Sequence, residues 1–253
     1  MPRWAVIPRP LADLRASGLW PRGLNAALDF LFPPSCAACS AGGAHLCDVC
    51  RDELRPASGQ RCRVCWAPGG ASPCIACQEE PPAFDALRAA FVYEGATRDA
   101  VLALKYAGMR SVAAALLDAA LVEGNGSLVV GGAARGIDFV TAVPMAARRR
   151  RRRGYNQAEV LARLVAGRLE RPFEAGLLER ARGTEQQARQ ADLQARRTNV
   201  RGAFRADAAL AKGRRILVVD DVTTSGATLN ACAEALLAAG ATSVLVWALA
   251  RED

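Results

Sequence analysis

The sequence is poor in lysine, histidine and aromatic residues. Its 253 residues include only two lysines, Lys105 and Lys212, and a single histidine, His45. One histidine gives triads and other imidazole-based acid–base chemistry very little support. Aromatic residues make up 6% of the chain, so platforms on which nucleic-acid bases could stack are scarce.

Long hydrophobic runs are also missing. The longest uncharged stretch near the end, residues 235–250, is interrupted by Gly240, Thr242 and Ser243 and is shorter than the roughly 20 apolar residues of a membrane-spanning helix. The first residues contain no apolar segment of the kind found in secretion signals. We therefore expect a cytoplasmic protein without membrane insertion.

Positive charge is plentiful and unevenly distributed. The formal net charge is +8; residues 135–153 contain seven arginines and one acidic residue, and residues 180–215 contain ten basic and three acidic residues. Clustered positive charge is typical of proteins that bind phosphate groups, either on a small anion or on nucleic acid. Alternatively, arginine simply fills solvent-exposed positions in an arginine-rich chain, and composition does not separate the two interpretations.

Cysteine provides the most specific signal. Eight of the nine cysteines form four Cys-x-x-Cys pairs. Each pair directs two thiolates at one point, and two pairs complete the tetrahedral sulfur shell that zinc prefers. A disulfide framework would need a secretory context, and thioredoxin-like chemistry would use one pair rather than four. We therefore predict two structural zinc sites, with the ligands Cys36, Cys39, Cys47, Cys50, Cys62, Cys65, Cys74 and Cys77.

The pairing of these ligands is open at the level of sequence. Joining the first pair with the second and the third with the fourth closes short loops, but an interleaved arrangement also fits the spacing. His45 lies between the first two pairs and is interpreted as an exposed loop histidine, because four thiolates are already available there. The isolated Cys232 lies in a helical pattern and is expected to be an inert core thiol.

Strand and helix patterns alternate after the prolines at 81 and 82. Residues 182–201 are polar and aperiodic and predict a long mobile loop. The alternation favours a parallel sheet with helices on both faces, in which ligands bind beyond the carboxyl ends of the strands. Strands are predicted over 90–94, 138–144, 215–222 and 243–249, with a weaker candidate at 172–178, and helices over 97–122, 154–169 and 225–239.

The strand at 215–222 ends in two acids, Asp220 and Asp221, and a turn rich in hydroxyl groups follows it and opens a helix. Backbone N–H groups and hydroxyls at such a helix start form a phosphate cradle, and Gly226 lets the backbone approach the anion closely. The carboxylates suit the hydroxyls of a ribose or a Mg²⁺ ion. Helix capping would explain the hydroxyl residues, but it would not explain two acids ending an apolar strand, where an unpaired charge is costly.

This region, VVDDVTTSGAT, resembles the motif with which type I phosphoribosyltransferases bind phosphoribosyl diphosphate (PRPP). More narrowly, the chain resembles the ComF family, the ComFC- and GntX-like proteins linked to competence and DNA uptake. The resemblance covers about residues 28–253 and implies a type I phosphoribosyltransferase-like parallel sheet flanked by helices, with an N-terminal double zinc-ribbon module. The other supporting strings are LFPPSCAAC, LKYAG, VPMAARRRRRRGYNQAEVLAR and RARGTEQQARQADLQARRTNVRGAF.

The resemblance also implies roles for individual residues. Asp220 and Asp221 would be the catalytic pair that holds the ribose hydroxyls, and Arg153 and Gly154 would lie nearest the diphosphate. Six consecutive arginines exceed what one diphosphate can use, so several of residues 148–152 must face solvent or another polyanion. The 5′-phosphate would be held by Thr223, Thr224, Ser225, Gly226, Ala227 and Thr228, and a flexible loop that closes over the site would include Thr184, Gln187, Arg197 and Asn199.

Two functional hypotheses follow. In the first, the chain is a phosphoribosyltransferase that uses PRPP with Mg²⁺ and an acceptor that no motif identifies. In the second, it is a non-catalytic competence factor that senses PRPP or binds single-stranded DNA together with DNA-uptake proteins. A third hypothesis, a structural adaptor with a dead site, is disfavoured by the intact acid pair.

The expected organisation is a lead segment with a short helix (1–35), a double zinc-ribbon module (36–80) and a phosphoribosyltransferase-like domain (81–253).

Overall fold

The structure, a computed structural model, describes residues 34–122, 136–181 and 202–253. Two small cysteine ribbons come first, and a sheet with flanking helices follows. In chain order the elements are α1 (Asp48–Asp52), α2 (Ile75–Glu79), β1 (Ala86–Val92), α3 (Gly95–Leu102), a π-helix (Ala103–Ala107), α4 (Val112–Val122), β2 (Phe139–Ala142), α5 (Ala147–Arg153), α6 (Gln157–Leu169), β3 (Leu178–Arg180), β4 (Phe204–Ala206), α7 (Ala208–Ala211), β5 (Arg215–Thr223), α8 (Ala227–Ala238) and β6 (Ser243–Arg251).

The two ribbons are structural repeats of each other. In each, the fourth residue after the first cysteine has a positive φ, 66° at Ser40 and 61° at Trp66. The backbone N–H of that residue donates to the carbonyl oxygen of the first cysteine, Cys36 or Cys62, at 2.8 and 2.9 Å. The same tight turn therefore shapes both ribbons. In the second cysteine pair of each ribbon, the first cysteine is the N-cap residue of a five-residue helix, α1 or α2, and the second cysteine lies within that helix.

The main sheet has four parallel strands in the order β1–β6–β5–β2. The central strands β5 and β6 are almost continuously apolar because helices cover both faces of the sheet. The predicted parallel sheet between helices is thus confirmed. A second, two-stranded sheet pairs β3 with β4 in antiparallel orientation.

Successive residues of β5 face two separate hydrophobic cores. Leu217 and Val219 pack with Leu104, Leu116 and Leu161 of the π-helix, α4 and α6. On the opposite face, Ile216 and Val218 pack with α7, α8 and β4, in a core that includes Phe204, Leu229, Cys232 and Leu236. The alternation of side chains along a strand therefore decides on which face each of the two terminal acids lies.

Several element boundaries differ from the sequence predictions. The first strand begins at Ala86 rather than at 90, and the helix predicted over 97–122 is divided by the π-helix and by Gly108, whose φ of 72° ends it. The arginine run forms the separate helix α5, which Gly154 closes with a φ of 83°. The weak strand candidate at 172–178 contributes a single bridge, Val140 to Phe173, and the true strand β3 begins where that candidate ends.

The chain between the two ribbons lies along the edge strand β1. The N–H of Ala57 donates to the carbonyl oxygen of Ala90 at 2.8 Å, and the N–H of Val92 donates to that of Arg55 at 2.9 Å. Short pairing of this kind covers an exposed sheet edge, which would otherwise be open to another chain.

Within the described ranges, no helix has the length and hydropathy that crossing a membrane requires.

Candidate functional site

Eight cysteines converge at two points of the ribbon module. The sulfur atoms of each group lie within 4.8 Å of one another. The first pair is grouped with the second and the third with the fourth, so the non-interleaved pairing is confirmed. The two tetrads, both of the zinc-ribbon type, are Cys36, Cys39, Cys47 and Cys50, and Cys62, Cys65, Cys74 and Cys77.

The electrostatics of the tetrads suit a soft cation. The backbone N–H of Cys47 points to Sγ of Cys36 at 3.4 Å, and that of Cys74 points to Sγ of Cys62 at 3.3 Å. Burial raises the pKa of Cys36 and Cys62, but these and neighbouring backbone donors outweigh it and lower each pKa to about 6. Four convergent sulfurs, two of them already favoured as thiolates, fit a structural zinc ion, which holds all four deprotonated when bound.

The remaining histidine and cysteine lie outside these groups. His45 is half-buried rather than exposed, and the metal-ligating groups found among the described residues do not include it. Its carbonyl oxygen accepts a hydrogen bond from the N–H of Ala37 at 2.9 Å, which joins the segment before α1 to the turn that follows Cys36. Cys232 is fully buried in the core beneath β5, as predicted, and burial raises the pKa of its thiol.

The acid pair lies at the carboxyl end of β5, on opposite faces of the strand. Asp221 continues the face of Leu217 and Val219, and its carboxylate lies 3.3 Å from Nζ of Lys105. The two side chains are only 13% and 17% exposed. This ion pair is therefore largely shielded from water and holds the Asp221 carboxylate towards the π-helix.

Asp220 faces the core that contains Cys232 and has a different environment. Burial, and then the nearby charge of Asp221, raises the pKa of Asp220 well above its usual range, while Lys105 and a backbone N–H partly oppose the shift. That N–H belongs to Asp221 and donates to Oδ1 of Asp220 at 2.8 Å. The two carboxyl groups are thus unequal: one has an internal cation, and the other is held where negative charge is disfavoured.

The turn after β5 exposes hydroxyl groups at the start of a twelve-residue helix. Thr224 and Ser225 are exposed, and Gly226, with a φ of 78°, is the N-cap residue of α8. The N-cap residue supplies no side chain to the first N–H groups of the helix; Ser225 Oγ lies 3.4 Å from the N–H of Ala227. Backbone donors at the start of α8 are therefore accompanied by accessible hydroxyls, the arrangement typical of an anion cradle.

The strings LKYAG and RGYNQ, which lie far apart in sequence, contact each other. The hydroxyl of Tyr155 donates to the carbonyl oxygen of Leu104, and Nε2 of Gln157 lies 3.5 Å from the carbonyl oxygen of Lys105. These side chains satisfy carbonyl groups of the π-helix, an element that is rare and often found at functional sites. LKYAG contributes to the family resemblance, but no role for Lys105 was predicted from the sequence. The available signal was a lysine in a chain that otherwise uses arginine.

The residues predicted beside the diphosphate occupy the end of α5. Arg153 donates from Nη2 to the hydroxyl of Tyr106 at 2.9 Å and from Nη1 to Oε1 of Gln157 at 3.1 Å. Its guanidinium carbon lies 4.6 Å from the centre of the Tyr106 ring. Arg148, Arg149, Arg150, Arg151 and Arg152 are all exposed, and Gly154 follows them with its left-handed backbone conformation.

A cavity of about 260 Å³ opens at the carboxyl end of β2. Its wall combines apolar side chains with two arginines and two glutamates, a mixture that sequence reasoning did not assemble. Because Val143 donates its N–H to the carbonyl oxygen of Val219 at 3.0 Å, this edge adjoins the end of β5. The lining residues are Ala142, Pro144, Met145, Arg150, Asn156, Glu159, Phe173, Ala175, Leu178, Glu179 and Arg180.

Part of the predicted site lies outside the described residues. The loop positions Thr184, Gln187, Arg197 and Asn199 all fall between 182 and 201. The remaining predicted positions lie on two segments that follow neighbouring parallel strands, the β2–α6 connection and the end of β5 with the β5–α8 turn.

Comparison with known proteins agrees with this organisation. Residues 27–79 match the double zinc ribbon domain, and residues 151–252 match the phosphoribosyl transferase domain. The DNA utilization protein YhgH of Salmonella typhi is 31% identical over 211 residues, which cover 81% of this chain and 90% of that protein. Its counterpart from Escherichia coli K12 is 31% identical over 213 residues, with the same coverage. Competence protein F of Haemophilus influenzae is 36% identical over 118 residues, 45% of this chain and 50% of that protein.

A chain that carries both domain types, and that matches the two YhgH proteins over 81% of its length, belongs to the ComF family of double zinc ribbon and phosphoribosyltransferase-domain proteins.

Proposed function

We propose that this chain binds PRPP with Mg²⁺ at the carboxyl end of β5 and transfers its phosphoribosyl group to an acceptor. The observation that carries the proposal is the direct succession, at one strand end, of a shielded acid pair and an exposed hydroxyl turn that opens a long helix. Phosphate and ribose require those two kinds of group side by side.

The turn is suited to the 5′-phosphate. The backbone N–H groups at the start of α8 supply donors, and the exposed hydroxyls of Thr224 and Ser225 add to them. Gly226 adopts a positive φ that an L side chain rarely adopts. In this proposal residues Thr223–Thr228 enclose the phosphate, and the positive end of the helix dipole stabilises its charge.

The acid pair is suited to the ribose. Carboxylates accept hydrogen bonds from vicinal hydroxyls, and Nζ of Lys105, 3.3 Å away, orients the Asp221 carboxylate. Burial raises the pKa of Asp220, so this carboxyl group ionises less readily than an exposed one, and in its protonated form it donates as well as accepts a hydrogen bond. We propose that both side chains orient the ribose, so that its anomeric carbon faces the acceptor.

The reaction proposed is a substitution at the anomeric carbon. The bond from C1 to the diphosphate oxygen breaks and its electron pair leaves with the diphosphate, while a nucleophilic atom of the acceptor forms the new bond to C1. Carboxylates near C1 stabilise the positive charge that develops there, and Arg153 lies on the connection proposed for the diphosphate. Mg²⁺ bound with PRPP supplies positive charge to the leaving group. The cavity beside Pro144 is the place we propose for the acceptor.

The experiment is calorimetric titration with PRPP in the presence and absence of Mg²⁺. The double variant Asp220→Asn/Asp221→Asn should lose most of the affinity, because it removes both carboxylates from the ribose site. Asp118→Asn is the matched control, since Asp118 is an exposed carboxylate on α4 that pairs with Arg168. Equal PRPP binding by the double variant and the wild type would show that the site lies elsewhere.

A second function is favoured by the exposed arginines of α5. Arg153 is held by Tyr106 and Gln157, while residues 148–152 are exposed. Among these, Arg150 also contributes to the cavity wall and lies 3.9 Å from Glu159. We propose that this helix binds the phosphate backbone of single-stranded DNA and that the chain takes part in DNA uptake or use. The names of two relatives, a DNA utilization protein and a competence protein, support this proposal. A non-catalytic factor that senses PRPP and binds DNA is the alternative to the transferase.

We also propose the organisation and compartment of the chain. Residues 1–35 form a lead segment, 36–80 the zinc module and 81–253 the phosphoribosyltransferase-like domain. The cytoplasm is the compartment we propose, because a reducing environment keeps eight paired thiols available to zinc.

A further inference from the structure

The inference concerns Lys105 and deepens the proposed function, on which it rests. Lys105 lies on the π-helix with its side chain 17% exposed, and Nζ is 3.3 Å from the carboxylate of Asp221. Its ammonium group also lies 5.7 Å from the centre of the Tyr93 ring. The lysine thus reaches the acid pair from a different layer of the fold.

The backbone that carries Lys105 is held firmly. Tyr155 donates to the carbonyl oxygen of Leu104, and the hydroxyl of Tyr106 accepts from Arg153. Arg110 stacks on the ring of Tyr155 with its guanidinium carbon 4.3 Å from the ring centre. The β2–α6 connection and the π-helix therefore pack against each other through these contacts. Lys105 and Arg153 consequently lie on one packed unit.

A ligand that uses Asp221 must compete with this internal cation. The Asp221 carboxylate is only 13% exposed, and its Oδ1 also accepts the N–H of Val222 at 2.8 Å, while Oδ2 faces Lys105. Ribose hydroxyls that bind Oδ2 would share its lone pairs with the ammonium group, so the two donors compete for the same oxygen. Moving a shielded charge without a new partner is unfavourable, whereas PRPP brings phosphate oxygens that can receive it.

We propose that Lys105 is a positioning residue that exchanges partners on ligand binding: it neutralises Asp221 in the free protein and transfers its ammonium group to the phosphate oxygens of PRPP when ribose hydroxyls occupy the carboxylate. No covalent bond changes in this step. The internal cation keeps the acid pair from taking up a free divalent cation, and PRPP relieves that competition because it supplies the compensating negative charge.

The experiment compares Lys105→Met with Lys105→Arg and Lys212→Met by two titrations. The first measures binding of PRPP in the presence of Mg²⁺. The second measures binding of Mn²⁺ alone, from the electron paramagnetic resonance signal of free Mn²⁺. Lys212 is the matched control, since it is the other lysine, is exposed, and precedes β5 at the opposite end of that strand from Asp221. Circular dichroism establishes that each variant is folded.

Opposite shifts of the two affinities are expected. In Lys105→Met the affinity for PRPP falls about tenfold or more, the effect of losing one charged hydrogen bond. Its affinity for Mn²⁺ rises, because the carboxylates are no longer neutralised. The affinity of Lys105→Arg for PRPP stays closer to that of the wild type, and both affinities of Lys212→Met match those of the wild type. A merely structural role for Lys105 would lower both affinities together.

The outcomes separate this inference from the function on which it rests. If the wild-type protein does not bind PRPP, the proposed function is overturned and the role of Lys105 with it. If the wild type binds PRPP and Lys105→Met binds it equally well, only the role of Lys105 is overturned. A Mn²⁺ affinity in Lys105→Met that does not exceed that of the wild type overturns the exchange of partners.

Discussion

Arg251, the last residue of β6, donates from Nη1 to the carbonyl oxygen of Cys65 at 2.9 Å. The guanidinium group is buried and lies 3.7 Å from the carboxylate of Asp253, which also accepts two hydrogen bonds from Arg61 at 2.7 and 2.8 Å. Arg251 is paired in register with Thr223, the residue that ends β5. A ligand residue of the second tetrad is thereby joined to the edge of the sheet that carries the acid pair.

Replacing Arg251 with leucine should therefore loosen the second tetrad and leave the first unaffected. The carbonyl of Cys65 would lose its buried donor, which costs about 1–3 kcal/mol of stability. Zinc release to a chelating dye should then show one accelerated phase and one unchanged phase. Arg51→Leu is the control, since Arg51 is an exposed arginine of α1 that pairs only weakly with Asp48 at 3.4 Å. Equal acceleration of both phases would contradict the tie between β6 and the second ribbon.

The metal content should be two zinc ions per chain. Because the tetrads share no ligand, Cys39→Ala and Cys65→Ala should each lower the content to about one. Cys232→Ala is the matched control: this cysteine lies in the core beneath β5, so zinc should remain at two. Elemental analysis after purification without chelators provides the measurement. A zinc-free wild-type protein would refute the assignment of the tetrads.

The buried carboxyl group of Asp220 predicts a pH dependence of stability. Its pKa in the folded protein is raised above the ordinary value of 3.8, so in the interval between those values the folded state binds more protons than the unfolded state. Stability due to this group is therefore greatest at low pH and falls as pH rises through the interval, by up to about 1.4 kcal/mol for each pH unit.

The test is Asp220→Asn, which removes this titration. The free energy of unfolding of the variant relative to the wild type should rise steadily from pH 4 upward, until the folded-state pKa is passed. Denaturant unfolding at several pH values measures the difference, and Asp118→Asn, at an exposed carboxylate, serves as the control. A difference independent of pH would mean that Asp220 ionises normally in the folded protein.

The exposed arginines of α5 should contribute to binding of single-stranded DNA. Replacing Arg148, Arg149, Arg150 and Arg151 with serine should weaken binding and reduce the salt dependence, with a loss of slope of roughly 0.7 for each phosphate contact. PRPP binding should persist, because Arg153 is retained. Fluorescence anisotropy with a labelled oligonucleotide at several salt concentrations gives both quantities.

The control for this variant has the same change in net charge. It replaces four exposed arginines that are scattered over the surface, Arg51, Arg98, Arg168 and Arg205. If the two variants weaken binding to the same extent, net charge rather than α5 is responsible. If the α5 variant binds as tightly as the wild type at every salt concentration, the run is an ordinary solvated surface.

Local pattern was sufficient for the sheet and the ribbons. Continuous apolar runs such as 216–219 are typical of strands buried on both faces, and β5 lies there with helices on each side. The cysteine spacing predicted tetrads because the turn between two cysteines three residues apart is short enough to determine its own geometry. Helix α5 and strand β4 were missed because neither has an apolar period of its own: one consists of arginines and an alanine, and the other has three residues.

By itself, the sequence determined the residues that carry chemistry: two acids at a strand end, a glycine-containing turn before a helix, six arginines in succession and eight paired thiols. These features depend on neighbours within a few positions, so local spacing is enough to define them. Only the tertiary structure decided which of them meet. Strand alternation placed Asp220 and Asp221 on opposite faces, and packing of the π-helix brought Nζ of Lys105 to 3.3 Å from the carboxylate of Asp221. Such partnerships arise between residues more than one hundred positions apart, where no periodicity in the sequence records the distance between them.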